Sequence, residues 1–499
     1  MITLKQLEEE LWRAANILRA DFSPFTDHKK YLLRLLLLKH LSDVFEEELE
    51  AIERKTGNRD LALSTPQYFR VFVPEHSRWS YLQRFNQFIS TGLNVASREI
   101  EYKNPHLDKI FTSIDFESEY NYSVHEQHDN ILRQLIEHFS HLNLAYGNLA
   151  EPDILGKACE YLIEKFAIDS GKSGGEFYTP NKIAELLVNL LEVEKGMRIC
   201  DPVCGVGGFL VAYFNYIKQT GLNLKDLSFY GQDKNLETWA IAKINLLLHG
   251  IFDFDIRLGD TIREPQLIQG KELMLFDRVV ANPPFNLNNW GYEKHGFDPY
   301  YRFRYGEPPK SSGDFAFIQH ILATLKNTGK AAVIVGNGTL FRGAKEGLIR
   351  ERIIQQDLIE AVISLASNLL YNTSIPIVIL IFNRNKSENR KNKVLFIDAS
   401  SQYQKIGNQN YLQSEHITHI VSCYQAFTDK EGYAKVASLE EIADNDYILN
   451  INRYVLPLKT EKDKIDIEAE IIKLRELEAA RTKAENEMNE SLRELGVKL

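Results

Sequence analysis

From about residue 155 onward, short apolar runs alternate with stretches of helical periodicity, and this alternation limits what the chain can fold into more than any other feature. Candidate strands lie at 197–202, 227–233, 255–260, 276–281, 330–336, 357–364 and 375–382, and helical patterns at 211–219 and 236–249 separate some of them. Nearly continuous β-branched runs between helices predict an α/β fold. Its mostly parallel, doubly wound sheet is covered by helices on both faces. Ligands in such sheets bind beyond the carboxyl ends of the strands. The residues just after each run are therefore where chemistry is expected.

The flanks read differently. Leu4, Leu7, Leu11, Ala14, Ala15 and Leu18 recur at helical spacing, as do Leu33, Leu36, Leu37, Leu41, Val44 and Phe45, with a charged end at 46–50. A helical domain over 1–150 follows. A stretch at 286–313 is long and irregular and carries Lys294, His295, Arg302, Arg304 and Lys310; loops of that length are usually functional or disordered. The polar connector at 383–393 reads as a solvated hairpin turn. Over 461–499, Ile467, Leu474, Met488 and Leu495 share one seven-residue register, interrupted by Arg481, and Leu477 and Ala484 fall on a second seam. That pattern predicts a long amphipathic helix paired with another helix, or else lying on its own domain. The expected domains are 1–150, an α/β body at 151–400, its extension at 401–460, and the helix at 461–499.

Composition narrows the classes. With 44% hydrophobic and 26% charged residues, disorder along the whole chain is excluded. No apolar stretch reaches membrane-spanning length, and residues 1–10 lack the pattern of a signal peptide. Cysteines number 4; Cys200 and Cys204 have no Cys or His neighbours in sequence, so no metal site is expected and a reduced, cytoplasmic setting fits best. The net charge of −10 argues against a general nucleic-acid-coating protein. It leaves room for a DNA enzyme whose basic groove is local or is supplied by a partner.

Four segments carry chemistry. Asn282-Pro283-Pro284-Phe285 follows the run at 276–281. Two prolines cannot continue a ladder; they stiffen the chain and present the Asn282 amide and the Pro283 carbonyl. Both can accept N–H bonds from an exocyclic amine and favour its pyramidal form in a methyl-transfer transition state, while Phe285 stacks on the base. A Pro-Pro turn without chemistry is the plain alternative. Asp201-Pro202-Val203-Cys204-Gly205-Val206-Gly207-Gly208-Phe209 follows the first run, and its glycines let backbone approach a ligand. As a dinucleotide fingerprint it fails, because the third glycine would fall at Leu210. Asp233 and Asp260 end the next two runs, where acids hold ribose hydroxyls or cap helices. Gly175-Glu176-Phe177-Tyr178-Thr179-Pro180-Asn181 precedes the first run; Thr179 and Pro180 fit a helix start, but that leaves the two aromatics unexplained.

In this order the segments resemble an S-adenosylmethionine-dependent DNA adenine-N6 methyltransferase, and more closely the modification subunit of type I restriction–modification systems. The segments at 11–19, 305–310, 314–320 and 450–454 look like that family too, so the resemblance covers nearly the whole chain. It implies that Glu176, Phe177, Tyr178, Thr179, Pro180 and Asn181 line the cofactor pocket. It also implies that Asp201, Cys204, Gly205, Val206 and Gly207 form the loop at the methionine moiety. Asp233 would bind ribose, Asp260 would sit near the cofactor's adenine, and Asn282 to Phe285 would hold the target base. Val206 departs from the small polar residue frequent there. The implied partners are double-stranded DNA, a specificity subunit, a second modification subunit and a restriction subunit. A stand-alone methyltransferase acting on RNA or on protein glutamine is the alternative, as is a non-catalytic scaffold.

Overall fold

A computed structural model describes residues 1–18, 25–85, 87–117, 122–151, 153–169, 178–221, 223, 227–293, 298–371, 373–457 and 467–494. Residues Met1–Val455 form one compact unit and Leu456–Leu499 another.

The principal sheet has nine strands: β1 (Arg198–Asp201), β2 (Ser228–Asp233), β3 (Phe254–Leu258), β4 (Phe276–Ala281), β5 (Leu325–Gly336), β6 (Ile359–Leu365), β7 (Ile377–Asn383), β8 (Lys393–Ala399) and β9 (Ala434–Ser438). Their order is β9-β8-β6-β7-β5-β4-β1-β2-β3. Pairing is parallel from β3 through β5 and between β6 and β8; β7 and β9 run the other way. The expected α/β, mostly parallel sheet is present, and all seven runs read from sequence are strands in it.

Helices cover both faces, which is why the strands read as continuous apolar runs. On one face, Ile199, Val280, Ala332 and Ile334 pack with α6 (Asn181–Leu191) and α7 (Gly208–Thr220). On the other, Cys200, Val279, Ala281 and Val333 pack with α9 (Asp314–Ala323) and α10 (Ala344–Gln355). The helical start comprises α1 (Leu4–Leu18), α2 (Phe25–Thr56), α3 (Ile89–Lys103) and α4 (Tyr122–Ser140), with shorter turns between. The charged stretch at 46–50 does not end α2. Glu46 lies 3.5 Å from Arg59, so that stretch is a solvent edge with partners. The core of these helices continues into α5 (Ile154–Asp169) and into Ile241, Ile244 and Leu248 of α8 (Leu236–Leu248).

Two readings need correction. The connector after β7 is not a hairpin turn, because β6 lies between β7 and β8. Nor is it merely solvated: the buried Lys386 ammonium sits 2.5 Å from Asp357 and donates to the Lys393 carbonyl, and Asn392 N–H donates to the same carboxylate. The stretch at 286–313 is irregular but packed within its described part. Trp290 is buried with Ile262, Ala316 and Phe317. Arg302 is buried too; it pairs with Asp298 and donates to the carbonyls of Thr261 and Ile262, so it is a strut and not a free cation. Lys294 and His295 lie outside the described residues. No helix among the described residues is long and apolar enough to cross a membrane.

Candidate active site

β1 delivers Asp201 to the carboxyl edge of the sheet, where the side chain is 1% exposed. Its Oδ1 accepts the Val203 N–H at 3.1 Å; its Oδ2 is buried and accepts nothing among the described residues. Burial pushes this carboxyl well above the usual carboxylate range, and the neighbouring Asp233 adds to the rise. Such an oxygen calls for a cation or a donor.

The turn that follows is held open by backbone. Gly205 and Gly207 adopt φ of +52° and +81°, which glycine reaches without strain. Gly207 opens α7, and Cys204 N–H anchors the turn to the Gln232 carbonyl of β2 at 2.9 Å. Asp233, at the end of β2, accepts Gly205 N–H at 3.1 Å and Asn235 N–H at 2.8 Å. It binds the glycine turn to the second strand and keeps lone pairs to spare. Asp260, after β3, spends one oxygen on the N–H groups of Ile262 and Arg263; it holds the turn that follows and caps no helix there. The neighbouring Thr261 hydroxyl donates to the Pro202 carbonyl and ties the exits of β1 and β3.

Asn282 directly follows β4, and its Nδ2 donates to Thr179 Oγ1 at 3.0 Å. The tetrapeptide is thereby joined to the aromatic segment 103 residues earlier. Thr179 does not cap α6: Pro180 holds that position, with no side-chain cap bond. Tyr178 is buried, donates its hydroxyl to Asn181 Oδ1 at 3.0 Å and stacks on Tyr371 with centroids 5.8 Å apart. The Tyr371 hydroxyl in turn donates to Glu164 of α5.

Thr179, Asp201, Cys204, Gly205, Val206 and Asn282 line one cleft, with Val203, Gly208 and Phe209. Asp233 reaches it through Gly205. Pro283 is buried behind Asn282, and Phe285 is half-buried against the core. Tyr178, Pro180, Pro284 and Asp260 do not line the cleft, and Asn181 lies in a neighbouring groove between α5, α6 and α7. Glu176 and Phe177 lie outside the described residues. Val206 is buried in the core shared with the helical start, which accounts for an apolar residue there.

Two supports escape sequence reading. Gln232, 1% exposed, bridges the Gly259 and Glu264 carbonyls and the Gln266 N–H. Asp314, at the start of α9, accepts Asn286 N–H at 2.8 Å and pairs with Arg342, fixing the chain just beyond Phe285. The only signal for Gln232 is a polar residue inside an apolar run. Arg342 gives none.

A mostly parallel sheet with a buried acid ending its first strand, a glycine turn after it, and Asn-Pro-Pro-Phe after its fourth defines an amino-group methyltransferase. Residues 150–463 match the family described as N-6 DNA Methylase, and residues 7–139 match the HsdM N-terminal domain. The chain is 32% identical to the type I restriction enzyme MjaIX methylase subunit of Methanocaldococcus jannaschii, over 98% of this chain and 92% of that protein. It is 34% identical to the HindI methylase subunit of Haemophilus influenzae, over 79% of this chain and 92% of that one. A type I restriction-modification methyltransferase subunit from Streptococcus thermophilus superposes with a TM-score of 0.79 at 30% identity, covering 91% of this chain and 100% of that one. The chain belongs to the N-6 DNA methylase family, and within it to the methylase subunits of type I restriction enzymes. It is an adenine-specific DNA methyltransferase of that kind.

Proposed function

We propose that the chain transfers a methyl group from S-adenosylmethionine to the N6 amine of adenine in double-stranded DNA, using the residues of this cleft. The observation that carries the reading is that the Asn282 amide and the unpartnered Asp201 oxygen share one cleft.

The residues fit the cofactor. Asp201 Oδ2 is free to accept its ammonium group, and the glycine turn leaves backbone open beside it. Asp233 retains lone pairs for ribose hydroxyls, and Asp260 one oxygen toward the cofactor's adenine. Cys204 and Val206 continue the wall; Thr179 stands in it as well, and Tyr178, Pro180 and Asn181 hold the segment that carries Thr179, with Glu176 and Phe177 assigned by resemblance alone. When bound, S-adenosylmethionine supplies an electrophilic methyl group. The chain's own work is on the base. Asn282 Oδ1 and the Pro283 carbonyl accept the two N6–H bonds and localise the lone pair, Pro284 stiffens the corner, and Phe285 stacks on the extruded ring.

The assembly proposed includes a specificity subunit that reads the site, a second copy of this subunit and, in the larger complex, a restriction subunit. It works in the cytoplasm. The net charge of −10 favours partners that supply much of the DNA-binding charge. In this reading 1–150 is the helical domain, 151–400 with 401–460 the catalytic body, and 461–499 the assembly segment, which carries the helix Ile467–Glu494.

The test is co-expression with the products of neighbouring reading frames, followed by sequencing that detects methyladenine. Asn282→Ala is expected to abolish methylation while cofactor affinity stays within about threefold. Normal turnover in that variant refutes the reading.

A further inference from the structure

We propose that Thr179 is a positioning residue for methyl transfer, holding the side-chain amide of Asn282 in the plane that aims its oxygen at the target amine. The inference rests on the reading of Asn282 as the group that grips the base.

An amide that accepts from the substrate through its oxygen must place its own N–H groups elsewhere. Asn282 is half-buried, and its Nδ2 donates to Thr179 Oγ1 at 3.0 Å. A hydroxyl at that place fixes the amide plane, and the N–H donors of the base then select the oxygen end. Without it, a desolvated N–H loses its partner, and the amide turns to find another.

The carrier of the hydroxyl is itself held on both sides. Before it, Tyr178 is buried, bonded to Asn181 and stacked on Tyr371. After it, Pro180 is buried at φ −53° and opens α6. Because Pro180 occupies the cap position, the Thr179 hydroxyl is not committed to the helix. Thr179 and Asn282 also line the same cleft as Asp201. One hydroxyl thus links the wall of the cofactor cleft to the group that holds the base.

The experiment compares Thr179→Val, Thr179→Ser and Asn282→Ala in the full chain co-expressed with its partner subunits. Its readouts are single-turnover methylation rate, KM for DNA, and S-adenosylmethionine affinity by calorimetry. The valine variant is expected to lose about tenfold or more in rate while cofactor affinity changes less than about threefold. The serine variant, which keeps the hydroxyl, is expected to recover most of the rate. A valine variant at full rate overturns the inference. So does a serine variant as slow as valine, or a loss of cofactor affinity that matches the loss of rate. The two claims separate cleanly: an active Asn282→Ala variant removes the base-gripping reading and this inference with it. An inactive Asn282→Ala beside a fully active Thr179→Val removes this inference alone.

Discussion

Asp201 shows how a single residue can be unfavourable for the fold and favourable for the site. Its charge is held in a buried place where one oxygen has no partner, so folding raises its pKa. A carboxyl raised in the folded state binds more protons there than in the unfolded chain. Its ionisation therefore erodes stability as pH climbs from the ordinary carboxylate value toward the raised one. Asp201→Asn removes that penalty and keeps an acceptor for the Val203 N–H. The variant without cofactor is expected to melt at a higher temperature than the parent at neutral pH, with the gap closing in acid. It is also expected to bind S-adenosylmethionine at least about tenfold more weakly, since a hydrogen bond to a charged group contributes about 1.5–3 kcal/mol. Calorimetry across pH adds the sign: affinity rises with pH through the Asp201 titration in the parent and is flat in Asp201→Asn. A variant that binds like the parent shows that the ammonium sits elsewhere. Asp201, the glycines and Asn282 were legible in the sequence because strand ends and prolines mark them. The Thr179 bond was not, since nothing local announces a partner 103 residues away.

Among the elements, legibility followed burial pattern. The seven strands read from sequence alternate with helical stretches and end at turn or acidic residues; the later ones carry the β-branched runs, and β7 is buried along its whole length. β8 was missed because a polar connector obscures its start, and β9, Ala434–Ser438, because its short run carries a single β-branched residue between small and charged ones. Polarity misled at that connector as well. The chain needs to pass the amino end of β6 to reach β8, and it does so around a fixed ion pair. The Lys386 side chain is 2% exposed against 21% for Asp357. Removing one partner of such a pair strands the other, at a cost of about 3–5 kcal/mol when both are buried. Asp357 keeps some solvent, so Lys386→Ala is expected to destabilise the protein by about 2 kcal/mol, read as a lower urea midpoint. This end of the sheet is opposite the Asp201 cleft, so cofactor affinity is expected to hold. Unchanged unfolding shows that the pair is screened. Lost cofactor affinity shows that the two ends of the sheet are coupled.

At the scale of the whole molecule, the hydrophobic clusters around the site are built from residues within Met1–Val455, a compact unit. The second unit contains α11 (Ile467–Glu494), a helix of 28 residues on which Ile471, Leu474, Leu477 and Met488 are exposed. The register read from sequence puts Leu474 and Met488 on one seam and Leu477 on the next, the pattern of a helix that pairs. Burying a leucine against a partner helix contributes about 1.5–3 kcal/mol, so two or three of them suffice to decide whether an assembly survives purification. Deleting 461–499 leaves those clusters intact. The shortened chain is therefore expected to bind S-adenosylmethionine with unchanged affinity. It is expected to fail to co-purify with the specificity subunit and, as a result, to leave DNA unmethylated. A milder variant separates packing from mere length: Leu474→Asp with Leu477→Asp keeps the helix, puts charge on both seams, and is expected to reproduce the loss of assembly. Should the shortened chain still co-purify at full yield, α11 is not the assembly element, and the surface that recruits the partner lies within residues 1–460.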